Sequence, residues 1–471
     1  MLYYWTFPIV VDIQTVAPEE FSMPAITFCN VNGIKPWEFC KMTKCVPTFL
    51  LGTRIACQKW PNICEMVGSK IPKDFKALPY NQLLRNHTFS PDELQKVKKP
   101  VEEFFSCKII SSTGERNCTT DKPLVGSYYS ISDFFGICYT INSRWSRPNK
   151  TLEKLTRADK IEIEFYVDLT DRHLNVSVDQ VVFPKYNYPT MTTATQLLLH
   201  NNFISISPYR NGFDLLGGKS YQLKLKQEKK YLLPAPYQTN CTDYMAGWKK
   251  RGGIGPLNPM MVVEECKYNL SLTEFGCVPY SVDYPHNDSL CTLCRGCSNM
   301  AHIQEECENL LGSYNQPCDF ISYKTTLEEK TVLIAKRIES RDKSLFNVSE
   351  VITVPRKGYD CAKTAVLTRR CQTIQVEISF GDFEITTTTY KPKFESFEIL
   401  SVIGSYMGIY LGISMFSVSK LFEILINRFL KKRKKGIKRM RNNRHGVNGN
   451  QSPSQVNHEF RRRNRIGNFN T

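Results

Sequence analysis

Gly404, Gly408 and Gly412 stand four residues apart in and just before an apolar run that reads SYMGIYLGISMFSVSKLFEIL from Ser405 to Leu425. On a helix this spacing places all three on one face, with Ser401, Ser405 and Ser414 nearby. Two kinds of chemistry suit such a stripe. Small residues let helices approach closely in lipid, where apolar burial gives no preference for protein over acyl chain. Alternatively the stripe faces a water-filled axis, the setting in which non-helical backbone is tolerated at membrane depth. A glycine then lets the helix open, so that the carbonyls of Gly412 and Ile413 replace the hydration water of a passing cation. Ser414 would add a hydroxyl oxygen or fix the geometry. Lys420 is the oddity, because a charge within a span costs about 2.5 to 3.5 kcal/mol on insertion scales and calls for a cavity or a partner. Glu423, three residues on, shares its helical face. The other reading is that Lys420 snorkels toward the inner interface, since a basic cluster begins at Lys431.

The element that carries these residues is long enough to cross a bilayer: Ile399 to about Leu425 exceeds the roughly 20 apolar residues a helical span needs. Lys431, Lys432, Arg433, Lys434 and Lys435 follow it, and such a cluster marks the cytoplasmic flank. Everything before the span is then outside. Cysteines and sequons agree independently. All 18 cysteines lie between Cys29 and Cys371, and sequons for N-glycosylation occur at Asn86, Asn117, Asn149, Asn175, Asn240, Asn269, Asn287 and Asn347. Together they favour an oxidising, extracellular compartment. The net charge of +17 does not mark a nucleic-acid-binding face, because 14 Lys and Arg from Arg428 onward oppose a single acid, Glu459, leaving +4 for the rest. That tail is too polar to fold and is suited to anionic lipid.

Enzymatic constellations are missing: there is no His-Glu-x-x-His, no Gly-x-Ser-x-Gly elbow and no phosphate-binding glycine loop. Cys291, Cys294 and Cys297 in CTLCRGC have zinc-like spacing, but in an oxidising compartment disulfides are the preferred reading over a metal. His87, His173, His200, His286 and His302 could sense protons or simply be solvated. Strict alternation in KIEIEFYVDL (Ile161, Ile163, Phe165, Val167), TIQVEISF (Ile374, Val376, Ile378, Phe380) and YQLKLK (Tyr221, Leu223, Leu225) predicts half-buried strands of one antiparallel sheet built from distant parts of the chain. The charged stretch from Lys324 to Phe346 reads as a helix, and Cys241 to Cys318 as a loop-rich region stapled by disulfides. At the amino terminus MLYYWTFPIVV is apolar, lacks a basic leader and is too short to span, which predicts that the chain as given lacks its true beginning. A single-pass, disulfide-rich receptor or adhesion protein would account for the cysteines, the sequons and the basic tail. It has no need of the glycine and serine stripe.

Four motifs resemble, in order, those of the degenerin, epithelial sodium channel and acid-sensing channel superfamily. FSMPAITFCN at 21–30 resembles the signature after its first membrane helix, and FGICYTIN at 135–142 its Gly-x-Cys-Tyr-Thr-Phe-Asn motif. LLPAPYQTNCTDY at 232–244 resembles its Leu-Pro-x-Pro-Tyr region, and GIYLGISMFSVSK at 408–420 its second membrane helix with a Gly-x-Ser filter. The set covers essentially the whole chain. It implies an α+β membrane protein with a large disulfide-rich extracellular domain, in which a central antiparallel β-sheet palm is surrounded by finger, thumb, knuckle and β-ball, followed by a carboxy-terminal transmembrane helix. Residues 1–14 would be the remnant of the first membrane helix, 15–395 the extracellular domain, 396–428 the second membrane helix and 429–471 a basic disordered cytoplasmic tail.

The function implied is that of a pore-forming subunit of a trimeric, sodium-selective, amiloride-sensitive channel at the plasma membrane, multi-pass in full. It would assemble as a homo- or heterotrimer, with sodium as the permeant ion and no cofactor. Gly412, Ile413 and Ser414 would form the filter, while Ser401, Gly404, Ser405 and Gly408 line the pore. Ser401 occupies the position whose enlargement holds such channels open. The resemblance also pairs Cys29 with Cys138 and Cys107 with Cys118, and it leaves the opening stimulus undetermined. Three departures stand out. The family's cytoplasmic amino terminus and His-Gly motif are missing, its thumb Cys-x-Cys is reduced to Phe275-Gly276-Cys277, and its Glu beyond the filter is Lys420. Three Lys420 side chains around a pore would repel sodium unless Glu423 compensates, so a homotrimer is expected to conduct poorly and the subunit to work in heteromers.

Overall fold

The computed structural model describes residues 6–30, 33–45, 87–119, 123–131, 134–166, 175–178, 181–184, 195–291, 300–330, 373–412 and 415–445, with Arg54, Gln58 and Leu84 as single positions. The chain forms two units, 1–393 and 394–471. Val167, Cys294, Cys297, His173 and the sequon residues Asn86 and Asn347 lie outside the described residues.

In the first unit the largest sheet has the order β11 (Asp319–Lys330), β10 (Ser220–Tyr231), β12 (Thr373–Pro392), β7 (Lys160–Tyr166), β3 (Phe105–Ser111) and β4 (Gly114–Asn117), and β1 (Ile9–Val16) also pairs with β12. Alternation explains why these segments are strands: Ile161, Ile163 and Phe165, Tyr221, Leu223 and Leu225, and Ile374, Val376 and Ile378 are all buried, whereas Glu162, Glu164 and Lys224 between them are exposed. Ile163 sits opposite both Val376 and Cys107.

Three expectations are corrected. The sheet is mixed, because β10 runs parallel to β12; alternation reports which face is buried, not strand direction. The segment from Lys324 to Lys330 is part of β11 rather than a helix. Its charges pair across strands, Lys324 with Glu228, Glu328 with Lys224 and Glu329 with Lys219, instead of along a helical face. Residues 9–14 belong to β1 and pair antiparallel with β12, so they do not continue a membrane helix; their Ile and Val content suits a strand.

A second sheet has the order β9 (Phe213–Leu215), β8 (Thr195–His200), β2 (Ala25–Asn30), β6 (Phe134–Ile141) and β5 (Leu124–Ile131). Phe28 on β2 joins the two sheets, stacking on Phe105 with centroids 4.1 Å apart and meeting Phe165 at 5.4 Å. Nearby, α1 (Pro36–Thr43) and α2 (Pro91–Val97) each begin on a proline, whose fixed φ and missing N–H suit a first turn. Ser90 and Glu93 close a capping box on α2.

The region from Cys241 to Cys318 is more helical than its composition suggests. It contains α3 (Tyr244–Lys250), α4 (Pro259–Phe275) and α5 (Met300–Glu308). Asp243 and Asn258 cap the first two, accepting from Ala246 N–H at 3.1 Å and Met261 N–H at 2.9 Å. Gly276 ends α4 at φ +67°, a left-handed conformation that favours glycine. Disulfides do staple the region: Cys241 to Cys318, Cys266 to Cys307 and Cys277 to Cys291. Cys29–Cys138, Cys40–Cys45 and Cys107–Cys118 complete the six among the described residues.

One buried polar chain crosses the second sheet. Thr140 Oγ1 lies 2.7 Å from Thr27 Oγ1, which lies 2.6 Å from His200 Nε2, while His200 Nδ1 lies 2.8 Å from the Asn201 carbonyl. Nδ1–H donating to that carbonyl leaves Nε2 to accept from a threonine hydroxyl. Burial pushes His200 down to about 4, against the opposing pull of the Asn201 carbonyl. Above pH 6.5 the imidazole is neutral both folded and unfolded, and stability is unaffected. Between 6.5 and 4 only the unfolded chain takes the proton, so stability falls with pH, by about 2 kcal/mol at pH 5. We expect His200→Gln to flatten the pH 7 to 5 stability slope by that amount in denaturant titrations, leaving the slope due to His286, which burial also holds near 4; an unaltered slope would refute the assignment.

Candidate functional site

The second unit consists of α6 (Ser396–Leu411) and α7 (Met415–His445). Gly412 ends α6 at φ +64°, its N–H donating to the Gly408 carbonyl at 3.1 Å. Its conformation is why the apolar run does not form one helix. The expected continuous span is therefore corrected: among the described residues no helix is long and apolar enough to cross a membrane. At 1.5 Å per residue α6 alone reaches about 24 Å, short of a hydrocarbon core of about 30 Å. α7 continues through the basic cluster to His445, so the first part of the segment expected to be disordered is helical.

Ser401, Ser405, Gly408 and Gly412 are exposed and Gly404 is half-buried within this chain; Ile413 and Ser414 lie outside the described residues. A methyl group added at Gly408 or at Gly412 would meet no atom within 4 Å. Among the described residues nothing thus demands a small residue at Gly408, while at Gly412 the backbone alone demands glycine. The ammonium of Lys420 sits 5.0 Å from the centroid of Phe416, one turn back. Glu423 is exposed, and among the described ion pairs none joins it to Lys420. Large apolar side chains face outward along both helices, including Leu400, Ile409, Tyr410, Phe422 and Phe429. Such a continuous apolar surface marks contact with protein or membrane.

The motifs of the first unit serve its architecture. Cys29 and Cys138 are directly opposed on β2 and β6. Tyr139 donates its hydroxyl to the Lys99 carbonyl at 2.9 Å, and Asn142 donates to the Met23 carbonyl at 2.7 Å. Tyr237 meets Phe7 edge-on at 5.7 Å. The sequon residues Asn117, Asn149, Asn240, Asn269 and Asn287 are exposed, as glycan attachment requires.

The histidines separate by environment. His200 and His286 are held neutral by burial. His302 is exposed, 3.7 Å from Glu306, and His87 lies 3.6 Å from Glu93. Sequence reading missed the charged network around α4. Lys267 and Glu264 pair at 3.1 Å inside the protein, Glu264 also accepts from the Asp283 N–H at 2.8 Å, and Arg251 clamps Glu265. Burial and the Asp288 carboxylate 2.6 Å away push Tyr268 up to about 12. The only sequence hint was the density of charge and tyrosine near α4. Among the described residues no group of three His, Cys, Asp or Glu comes together as a metal site.

A sequence profile described as amiloride-sensitive sodium channel matches residues 1–424. The chain is also similar to a rat (Rattus norvegicus) protein, the bile acid-sensitive ion channel. The two are 21% identical over 451 residues, covering 90% of this chain and 78% of the rat protein.

The two glycines separate by experiment. Gly412→Ala should destabilise the helix end by about 1 kcal/mol through left-handed strain. Gly408→Ala should be neutral or up to about 1 kcal/mol stabilising in the isolated chain, from helix propensity. If Gly408→Ala lowers assembly or current at matched surface density, another helix rests on that face; circular dichroism of a micelle-bound 394–445 peptide checks the isolated effects.

Proposed function

The chain belongs to the amiloride-sensitive sodium channel family, and from that premise we propose that it is a pore-forming subunit of a trimeric, sodium-selective, amiloride-sensitive channel of the plasma membrane. The observation that carries this reading is the break at Gly412 in an otherwise apolar, outward-facing helical run. An anchor gains nothing from a left-handed residue in its middle. Broken helices at membrane depth are tolerated where they line water or pack in protein.

The break also has the right polarity. The last carbonyls of a helix lack intrahelical partners and carry the negative end of its dipole. Three copies of α6 ending around one axis would present their carbonyls to a dehydrating cation, with Gly412, Ile413 and Ser414 as the filter and Ser401, Gly404, Ser405 and Gly408 toward the axis. Assembly is supported by apolar side chains that the first unit leaves exposed on β1, namely Val10, Val11, Ile13 and Val16. The extracellular placement of that unit is supported by the six disulfides among its described residues and by its exposed sequon residues. β12 leads within four residues into α6, which gives movements of the large sheet a covalent route to the break.

Lys420 sets the inner electrostatics. With its ammonium over Phe416 rather than on Glu423, it stays a full charge where sodium would pass. Homotrimers should therefore conduct weakly, and partner subunits with an acid at this position would relieve the repulsion.

Two-electrode voltage clamp on the full-length coding sequence with Ser401→Phe tests the reading. A constitutive inward sodium current blocked by amiloride is expected, and adding Lys420→Glu should raise it several-fold. Silence of the single and double variants at normal surface density would overturn the channel assignment and favour an anchored receptor.

A further inference from the structure

α7 changes character along its length. Leu421, Phe422, Ile424, Leu425 and Ile426 go all the way round the helix, as suits a segment enclosed in lipid or protein. From Arg428 to Arg441 the apolar positions no longer do so. At 3.6 residues per turn Phe429, Leu430, Arg433, Ile437 and Met440 fall within an arc of about 100°, on the register already held by Phe422 and Ile426. The other nine positions of this stretch are eight Lys or Arg and Gly436. No acid occurs from Ile424 to His445. Phe429, Leu430, Lys431, Lys432 and Arg433 are exposed.

A helix with a narrow apolar stripe and a wide cationic face suits a boundary between an apolar phase and an anionic one. A bilayer surface offers such a boundary, and so does an acidic protein groove. Arg433 separates the two. It stands near the middle of the apolar arc, so a hydrophobic groove closing over the stripe would bury its charge, which is costly without a partner. At a bilayer surface the same side chain lays its stem along the apolar stripe and turns its guanidinium to the headgroups. Continuity argues the same way. The stripe starts where the all-round apolar segment ends, on one unbroken helix, so whatever membrane encloses that segment lies next to the stripe.

We propose that α7 from Arg428 to Arg441 docks on anionic phospholipid, its apolar stripe at the level of the upper acyl carbons and its cations on the headgroups. The stripe as well as the charge must engage, which sets this apart from loose attraction of an unfolded basic tail. The proposal rests on the channel reading only in taking the leaflet to be the cytoplasmic one.

Hydrogen–deuterium exchange of the full-length protein tests it, in nanodiscs of phosphatidylcholine, pure or mixed with phosphatidylserine. The amides of residues 429–441 should exchange at least fivefold more slowly when the anionic lipid is present. Replacing Lys431, Lys432, Lys434 and Lys435 together by Gln, a comparable helix former, should erase the difference. Phe429→Gln with Leu430→Gln keeps every charge and should cut it at least threefold. Equal exchange in the two lipids, or a difference that either variant leaves intact, would overturn the proposal. Protection by calcium-loaded calmodulin and not by phosphatidylserine would overturn it in favour of a protein groove. Exchange is read here rather than current, so failure of lipid docking and failure of the channel reading are separate results.

Discussion

The twenty residues from Thr373 to Pro392 must be paired along both edges at once, and the architecture follows from how that is met. One edge of β12 is taken by β10 in parallel, with a register shift between Leu225 and Gln227. The other is shared, by β7 over the first part and β1 over the last. Three segments from distant parts of the sequence are thereby fixed to one strand, and unpaired backbone in a buried strand would cost more than their ordering. Near Gly381, where neither β7 nor β1 reaches, Phe21 closes the gap, stacking on Phe380 at 4.9 Å and meeting Phe383 edge-on at 4.3 Å. The opening residues of the chain and the strand that leads into α6 thus lie side by side.

What the sequence displayed of this arrangement was the part governed by burial. Ile161, Ile163, Phe165, Ile374, Val376 and Ile378 alternate because one face of each strand meets the core, and that pattern is local. Parallel pairing of β10 is not local: it depends on where the chain travels in between. The segment from Lys324 misled because its charges fit a solvated helix as well as a ladder of cross-strand pairs. β1 misled for a related reason. Its run of Ile and Val suits lipid and strand alike, and only Asp12, which pairs with Lys391 at 2.9 Å, argued for water on one side. Around α4 the density of glycine, proline and cysteine hid the helices that Asp243 and Asn258 cap.

At the candidate pore the legible feature was the glycine at position 412, because a left-handed residue is a backbone property that a single side chain reports. The stripe at Gly404 and Gly408 was equally visible, yet its meaning lies outside the single chain, where nothing presses on Gly408. The disulfide cysteines follow the same division. Cys107 and Cys118 close a hairpin whose partners are eleven residues apart, whereas Cys241 reaches Cys318 only through the whole helical region. Buried polar groups were the least visible. Thr27, Thr140 and His200 look like ordinary strand residues until the register of β2 with β6 and β8 aligns them.

Along the carboxy-terminal run the electrostatics of the proposed channel pull in opposite senses. The end of α6 offers a partial negative charge of about half an electron, and Lys420, eight residues beyond Gly412, offers a full positive one. In bulk water, charges further apart than the Debye length of about 8 Å scarcely interact. In a narrow, low-dielectric passage that screening is lost, and the full charge outweighs the partial one. Phe416 does not change the sign, since an aromatic face stabilises the ammonium by about 0.5 to 2 kcal/mol while leaving it charged. Only a carboxylate brought close to Lys420, from Glu423 in another rotamer or from a neighbouring subunit, returns the inner passage to neutrality. On the channel reading, the end of α6 would offer a cation a negative pole, and the identity of the residues facing Lys420 would decide whether the ion passes.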